Sequence, residues 1–110
     1  MVVIKQNGIP GGAIKFTSVK IAAYDILADE HIQYDPTAGG FTLKLPPTAA
    51  TNTQVGFKNC STSTNSVTID GNGHNVENPS TPGATVASFV TTTAGLSIIC
   101  QFNGTEWWII

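Results

Sequence analysis

The stretch Ser66-Val67-Thr68-Ile69-Asp70-Gly71-Asn72-Gly73-His74 decides the fold. Val67 and Ile69 alternate with polar Ser66, Thr68 and Asp70, the period-two pattern of a strand with one buried face. Asp70-Gly71-Asn72-Gly73 then supplies two glycines and two side chains that tolerate positive φ. That is the composition of a tight turn, and it predicts that the strand stops and the chain reverses.

The same plan recurs on both sides. Upstream, Phe41-Thr42-Leu43-Lys44-Leu45 alternates cleanly and is ended by Pro46-Pro47, which cannot donate to a ladder. Gln54 to Cys60 turns Val55 and Phe57 inward, with Gly56 expected to mark a bulge. Tyr24 to Tyr34 fits either a strand or a short helix. Downstream, Asn75-Val76-Glu77 predicts a brief edge strand and Ala84 to Thr91 a longer one. Leu96, Ile98, Cys100 and Phe102 form an inward set, and Asn103-Gly104 is a hairpin signal leading into Trp107-Trp108-Ile109-Ile110. Strands at this spacing, without sustained helical periodicity, predict an all-β fold: a small antiparallel β-sandwich or barrel, jelly-roll-like, with an extended N-terminal arm.

Residues 1–20 read as that arm or as a first strand, and 21–110 as the β-sandwich domain. Asn7-Gly8-Ile9-Pro10-Gly11-Gly12 cannot hold regular structure. The segment is either a frayed terminus before a strand or an arm that orders on a partner, docking Val2, Val3, Ile4, Ile9, Ile14 and Phe16. The last strand is apolar on both faces. Trp107 and Ile109 point one way, and Trp108 and Ile110 the other. One set enters the core; the other is covered by a second layer of the same domain or by a subunit interface.

Charged residues make up 11% of the 110, there is no arginine, and the net charge is -2. Lys5, Lys15, Lys20, Lys44 and Lys58 are scattered, which argues against nucleic-acid binding and against a polybasic membrane surface. No run is long and apolar enough for a transmembrane helix, and Met1 to Gly8 does not suit a signal peptide. Synthesis in a cytosol is expected, with Cys60 and Cys100 as free, buried thiols.

Catalytic chemistry finds little purchase. His31 and His74 are the two imidazoles, and neither lies in a nucleophile signature. Asp70, His74 and Glu77 are a weak metal set, better read as a solvated turn. No catalytic residue, metal ligand or cofactor is expected, and the chain reads as non-enzymatic.

Four motifs carry a resemblance. Phe41-Thr42-Leu43-Lys44-Leu45-Pro46-Pro47 with Ala49-Ala50, Val55-Gly56-Phe57-Lys58-Asn59, Ser66 to Gly73, and Leu96 to Ile110 with its Asn103-Gly104-Thr105…Trp107-Trp108-Ile109-Ile110 ending occur in this order. The order resembles small β-modules of tailed-bacteriophage virion proteins, among them head decoration or cement proteins, head fibres and tail fibres. The resemblance covers about residues 38–110, with Gly71 where the pattern often has proline. A single module with a short arm is most similar to a capsid decoration protein. It implies a homotrimer made in the bacterial host cytoplasm and located on the capsid surface of the virion, with the major capsid protein or another virion protein as partner. Val2, Val3, Ile4, Ile9, Ile14, Phe16, Trp108 and Ile110 would then be capsid or protomer contacts. The rival class is a carbohydrate-binding or adhesive module that stacks Trp108, Tyr24 or Tyr34 on host glycans.

Overall fold

A computed structural model describes residues 15–16, by their backbone, and 18–110. Val2, Val3, Ile4, Ile9 and Ile14 lie outside the described residues. Among the described residues eleven strands follow one another: β1 (Lys15–Phe16), β2 (Tyr24–Asp25), β3 (Glu30–Tyr34), β4 (Phe41–Lys44), β5 (Gln54–Asn59), β6 (Val67–Asp70), β7 (Val76–Glu77), β8 (Thr85–Val86), β9 (Ser88–Thr91), β10 (Ser97–Phe102) and β11 (Trp107–Ile109). No helix occurs among the described residues. The chain is all-β.

The strands form a seven-stranded sheet in the order β1-β3-β5-β10-β11-β7-β8 and a four-stranded sheet in the order β2-β4-β6-β9. From β1 to β7 the chain alternates between the two. Strands that become neighbours in this way run parallel: β1 with β3, β3 with β5, β2 with β4, and β4 with β6. The first half is therefore a two-sheet coil. The last strands then pair antiparallel onto it, β9 on β6, β10 on β5 and β11 on β10. This corrects the antiparallel expectation, because five of the nine pairings are parallel. Each connection between β2 and β6 crosses from one sheet to the other, so successive strands are not hairpin partners.

The turn after β6 shows how. Asn72 and Gly73 take positive φ, 55° and 96°, and the Asn72 amide donates to Asp70 Oδ1 at 2.8 Å. The chain bends as its composition predicts, but passes to the other sheet and enters β7. At Gly71 a Cβ would meet the His74 carbonyl oxygen, so the turn closes over a bare backbone. β7 lies between β11 and β8 and is not an edge. The run expected over Ala84 to Thr91 splits at Ala87, whose carbonyl accepts from Gly71 N at 3.0 Å, into β8 and β9 of different sheets.

One core fills the space between the sheets. β3, β5, β10 and β11 contribute Ile32, Tyr34, Val55, Phe57, Ile98, Cys100, Phe102 and Trp107; the smaller sheet contributes Leu43, Val67, Ile69 and Phe89. Fully burying each large apolar side chain contributes about 1.5–3 kcal/mol. Phe102 joins Trp107 at 5.0 Å between ring centroids and His74 at 4.9 Å. Among the described residues Glu30, Asn59 and Thr91 are polar and buried, and the first two act as pins. Glu30 accepts from Tyr24 Oη at 2.8 Å and from Leu27 N at 2.9 Å, tying the β2–β3 bend. Asn59 donates to the Ser63 carbonyl and accepts from Ser61 N, holding the exit from β5. Both cysteines are free; Cys100 is buried as expected, but Cys60 is exposed.

Candidate functional site

Alternation places every second residue of the seven-stranded sheet outside. Register lines these residues up in rows across the strands. One row runs His31, Gly56, Ile99, with Gly56 paired to both neighbours. Ile110 N donates to the Ile99 carbonyl at 2.9 Å and extends this row onto the end of β11. Phe16 is in register with His31 at the other end. A second row runs Gln54, Gln101, Trp108. Lys58 and Ser97 pair in a third.

The centre of this outer face is apolar: Ile99 and Trp108 are half-buried, and Ile110 is 63% exposed. Its rim is polar, with Gln33, Gln54, Lys58, Ser97, Gln101 and, beyond β11, Glu77 and Glu106. A shallow notch of about 120 Å³ opens over Gly56, bordered by His31, Lys58, Ser97 and Ile99. Gly56 is not a bulge, since its register is continuous on both sides. It is bare because the His31 ring lies where a Cβ would project, 2.8 Å from Cγ. His31 Nε2 is buried without a hydrogen-bond partner, and burial holds the imidazole below its ordinary value of 6.5. Lys58 Nζ reaches only the Gly95 carbonyl, at 3.4 Å.

The structure thus brings together three of the predicted contact residues on one face: Trp108, Ile110 and the register position of Phe16. Ile99, His31 and Gly56 were missed. Ile99 had a signal in the sequence, for Ile98-Ile99 puts consecutive isoleucines on opposite faces of a strand. His31 over Gly56 had none, because the pair is made by register alone. Val19, Ile21 and Leu27 form a further set of exposed apolar residues flanking β2.

The residues weighed for other chemistry are otherwise engaged. Tyr34 is fully buried, and Tyr24 commits its hydroxyl to Glu30 while Lys20 Nζ sits 4.0 Å from its ring centroid. His74 sets Nδ1 3.2 Å from the Thr105 carbonyl oxygen and Nε2 3.0 Å from that of Pro47. Glu77 accepts from Ile109 N at 3.1 Å and Gly83 N at 2.8 Å, carrying on the β7–β11 ladder with its side chain. Among the described residues no three His, Cys, Asp or Glu side chains gather into a metal-binding group. No helix among them is long and apolar enough to cross a membrane.

No protein-family model matches the chain, and no curated protein matches it.

Proposed function

We propose that this chain is a non-enzymatic structural protein of a tailed-phage virion, a decoration or cement protein that works as an assembly of several copies. The two-sheet fold is read as a small β-sandwich, and residues 1–20 as the arm that attaches it to the major capsid protein or another virion protein. The observation that carries the reading is the outer face of the seven-stranded sheet. It has the apolar centre and polar rim of an interaction surface, and the chain enters it through β1, beside His31. The four ordered motifs supply the class of particle. Attachment of many copies, to the assembled lattice alone, would stabilise that lattice by mass action and multivalency.

Co-sedimentation of the purified protein with heads of the phage that encodes it tests the reading. Binding to heads is expected, and deletion of residues 1–12 should abolish it while leaving the β-sheet circular dichroism intact. Retained attachment after the deletion removes the arm from the mechanism. Failure to bind heads, together with retention on immobilised host glycans that is lost in Trp108→Ala, transfers the chain to the adhesive class. Tyr34, buried, and Tyr24, tied to Glu30, offer that class little stacking surface.

A further inference from the structure

We propose that residues 2–5 of this chain, Val2-Val3-Ile4-Lys5, pair in parallel with β2 and add a strand to the smaller sheet, with Lys5 in register with Asp25. β2 is an edge of that sheet, whose order is β2-β4-β6-β9. Ile26 N donates to the Lys44 carbonyl at 2.8 Å, so Tyr24 and Ile26 turn their backbone groups towards β4. By alternation the amide and carbonyl of Asp25 face the open side. Exposed apolar residues flank the same edge: Val19, Ile21 and Leu27. Tyr24 is only half-buried, whereas Leu43, its register partner, is fully buried. An open edge beside an uncovered apolar end is what a further strand closes.

The winding of the chain indicates where that strand comes from. The chain alternates between the sheets, so β3 lies parallel to β1, β4 to β2, β5 to β3 and β6 to β4. A strand placed before β1 in this alternation belongs to the smaller sheet, beside β2. Residues 45–53, nine in number, join β4 to β5. Residues 6–14, also nine, join Lys5 to β1. Residues 2–5 thus stand before β1 as β4 stands before β5. Nine residues reach up to about 30 Å, ample for the roughly 10 Å between packed sheets.

Charge fixes the register. Asp70 lies in register with Lys44, and Lys44 with Asp25, so the signs alternate from strand to strand towards the open edge. The next position calls for a cation, and Lys5 carries the one charged side chain among residues 1–14. Opposite charges on neighbouring strands favour such a pairing and like charges oppose it. The adjoining inward row is Ile69, Leu43 and Tyr24. The same register sets Ile4 beside Tyr24. Val2-Val3-Ile4-Lys5 also repeats the form of Phe41-Thr42-Leu43-Lys44 and Val67-Thr68-Ile69-Asp70, apolar at the first and third positions and charged at the fourth. A slip of one residue would turn Lys5 towards the core. Under the decoration reading, the part of the N-terminal segment left to reach a virion partner is then the loop of residues 6–14, held at both ends.

Hydrogen exchange followed by NMR tests the pairing, on the full chain and on a chain lacking residues 2–5. The Asp25 amide is expected to exchange at least about ten-fold more slowly in the full chain, while the Ile26 amide stays protected in both. Equal exchange at Asp25 overturns the pairing. Cross-linking in the full chain tests the register without relying on the truncated one. Exposed Cys60 is first replaced, Cys60→Ser. In that background Lys5→Cys with Asp25→Cys should form a disulfide in oxidised glutathione, at the single-chain mass and about ten-fold faster than Val3→Cys with Asp25→Cys. Equal rates overturn the register. A disulfide at twice the chain mass assigns the strand to a second copy and overturns pairing within one chain. Neither readout involves capsids, so failure to bind heads would overturn decoration and leave this pairing standing.

Discussion

The imidazole of His31 lies across Gly56 on the neighbouring strand, 2.8 Å from where any other residue would place its Cβ. The ring is carried on its own strand and cannot swing clear as a long side chain would. Gly56→Ala should therefore destabilise the fold by about 1–3 kcal/mol, the usual cost of overpacking. Chemical denaturation measures it. His31→Ala in the same chain should recover most of the loss, and an additive double variant would show that the strain lies elsewhere.

Trp107 and Trp108 are adjacent in sequence and opposite in consequence. Trp107 is fully buried against Phe102, so Trp107→Ala should cost about 3–5 kcal/mol or prevent folding. Trp108 is half-buried on the outer face. Trp108→Ala should leave the thermal midpoint of the isolated chain within a few degrees of wild type while reducing assembled mass. The pair of melting curves and the pair of scattering masses should give opposite rankings.

Glu30 is a buried carboxylate holding the β2–β3 bend through Tyr24 Oη and Leu27 N. Removing one partner of a charged hydrogen bond costs about 1.5–3 kcal/mol, and leaving a buried donor unpaired adds to it. Glu30→Ala should thus destabilise more than Tyr24→Phe, because it frees two donors where Tyr24→Phe frees one acceptor with another donor still in place. Equal losses would mean that the Leu27 amide finds water.

Stability should fall at both ends of the pH scale. Burial pushes Tyr34 up to about 12 from 10.0. Partial burial and then the Glu30 carboxylate raise Tyr24 to about 12. Burial and then Glu77 raise Cys100 to about 12 from 9.0. The unfolded chain loses these protons first, so their contribution is complete below about pH 9 and disappears as pH climbs towards 12. At the acid end, burial holds His31 below 6.5. Its contribution is present above pH 6.5 and is lost as pH falls through the lower folded value. Urea midpoints measured against pH should show both limbs, with His31→Gln flattening the acid one and Cys100→Val delaying the onset of the alkaline one.

The direction in which side chains face was legible in the sequence, and strand partnership was not. Alternation is local, so Val67 and Ile69, or Ile98, Cys100 and Phe102, declare their buried face without reference to any other strand. Nothing local says which sheet a strand joins. Asp70-Gly71-Asn72-Gly73 uses the same positive-φ chemistry to cross between sheets as it would to close a hairpin, and Ala87 divides β8 from β9 without a glycine or proline to mark the break. The site follows the same rule. Trp108 and Ile110 announce a two-faced strand, whereas the notch needs His31, Gly56 and Ile99 from three strands to be read together.

The order in which the coil is wound bears on how the chain is made. A ribosome delivers β1 to β6 first, and these can lie down turn upon turn as they emerge. Their open edges, β5 in one sheet and β6 in the other, are covered by β10 and β9, which are translated much later. Until residues 88–102 arrive, the nascent chain is a spiral with two unprotected rims, each a template for any passing strand. Pairing residue 56 with residue 99 is also a distant contact, and folds built on such contacts close slowly. In a cell making many copies at once, the hazardous interval is the one before the lid strands appear, so slowing translation just ahead of codon 88 should raise the aggregated fraction, while slowing it after codon 102 should not.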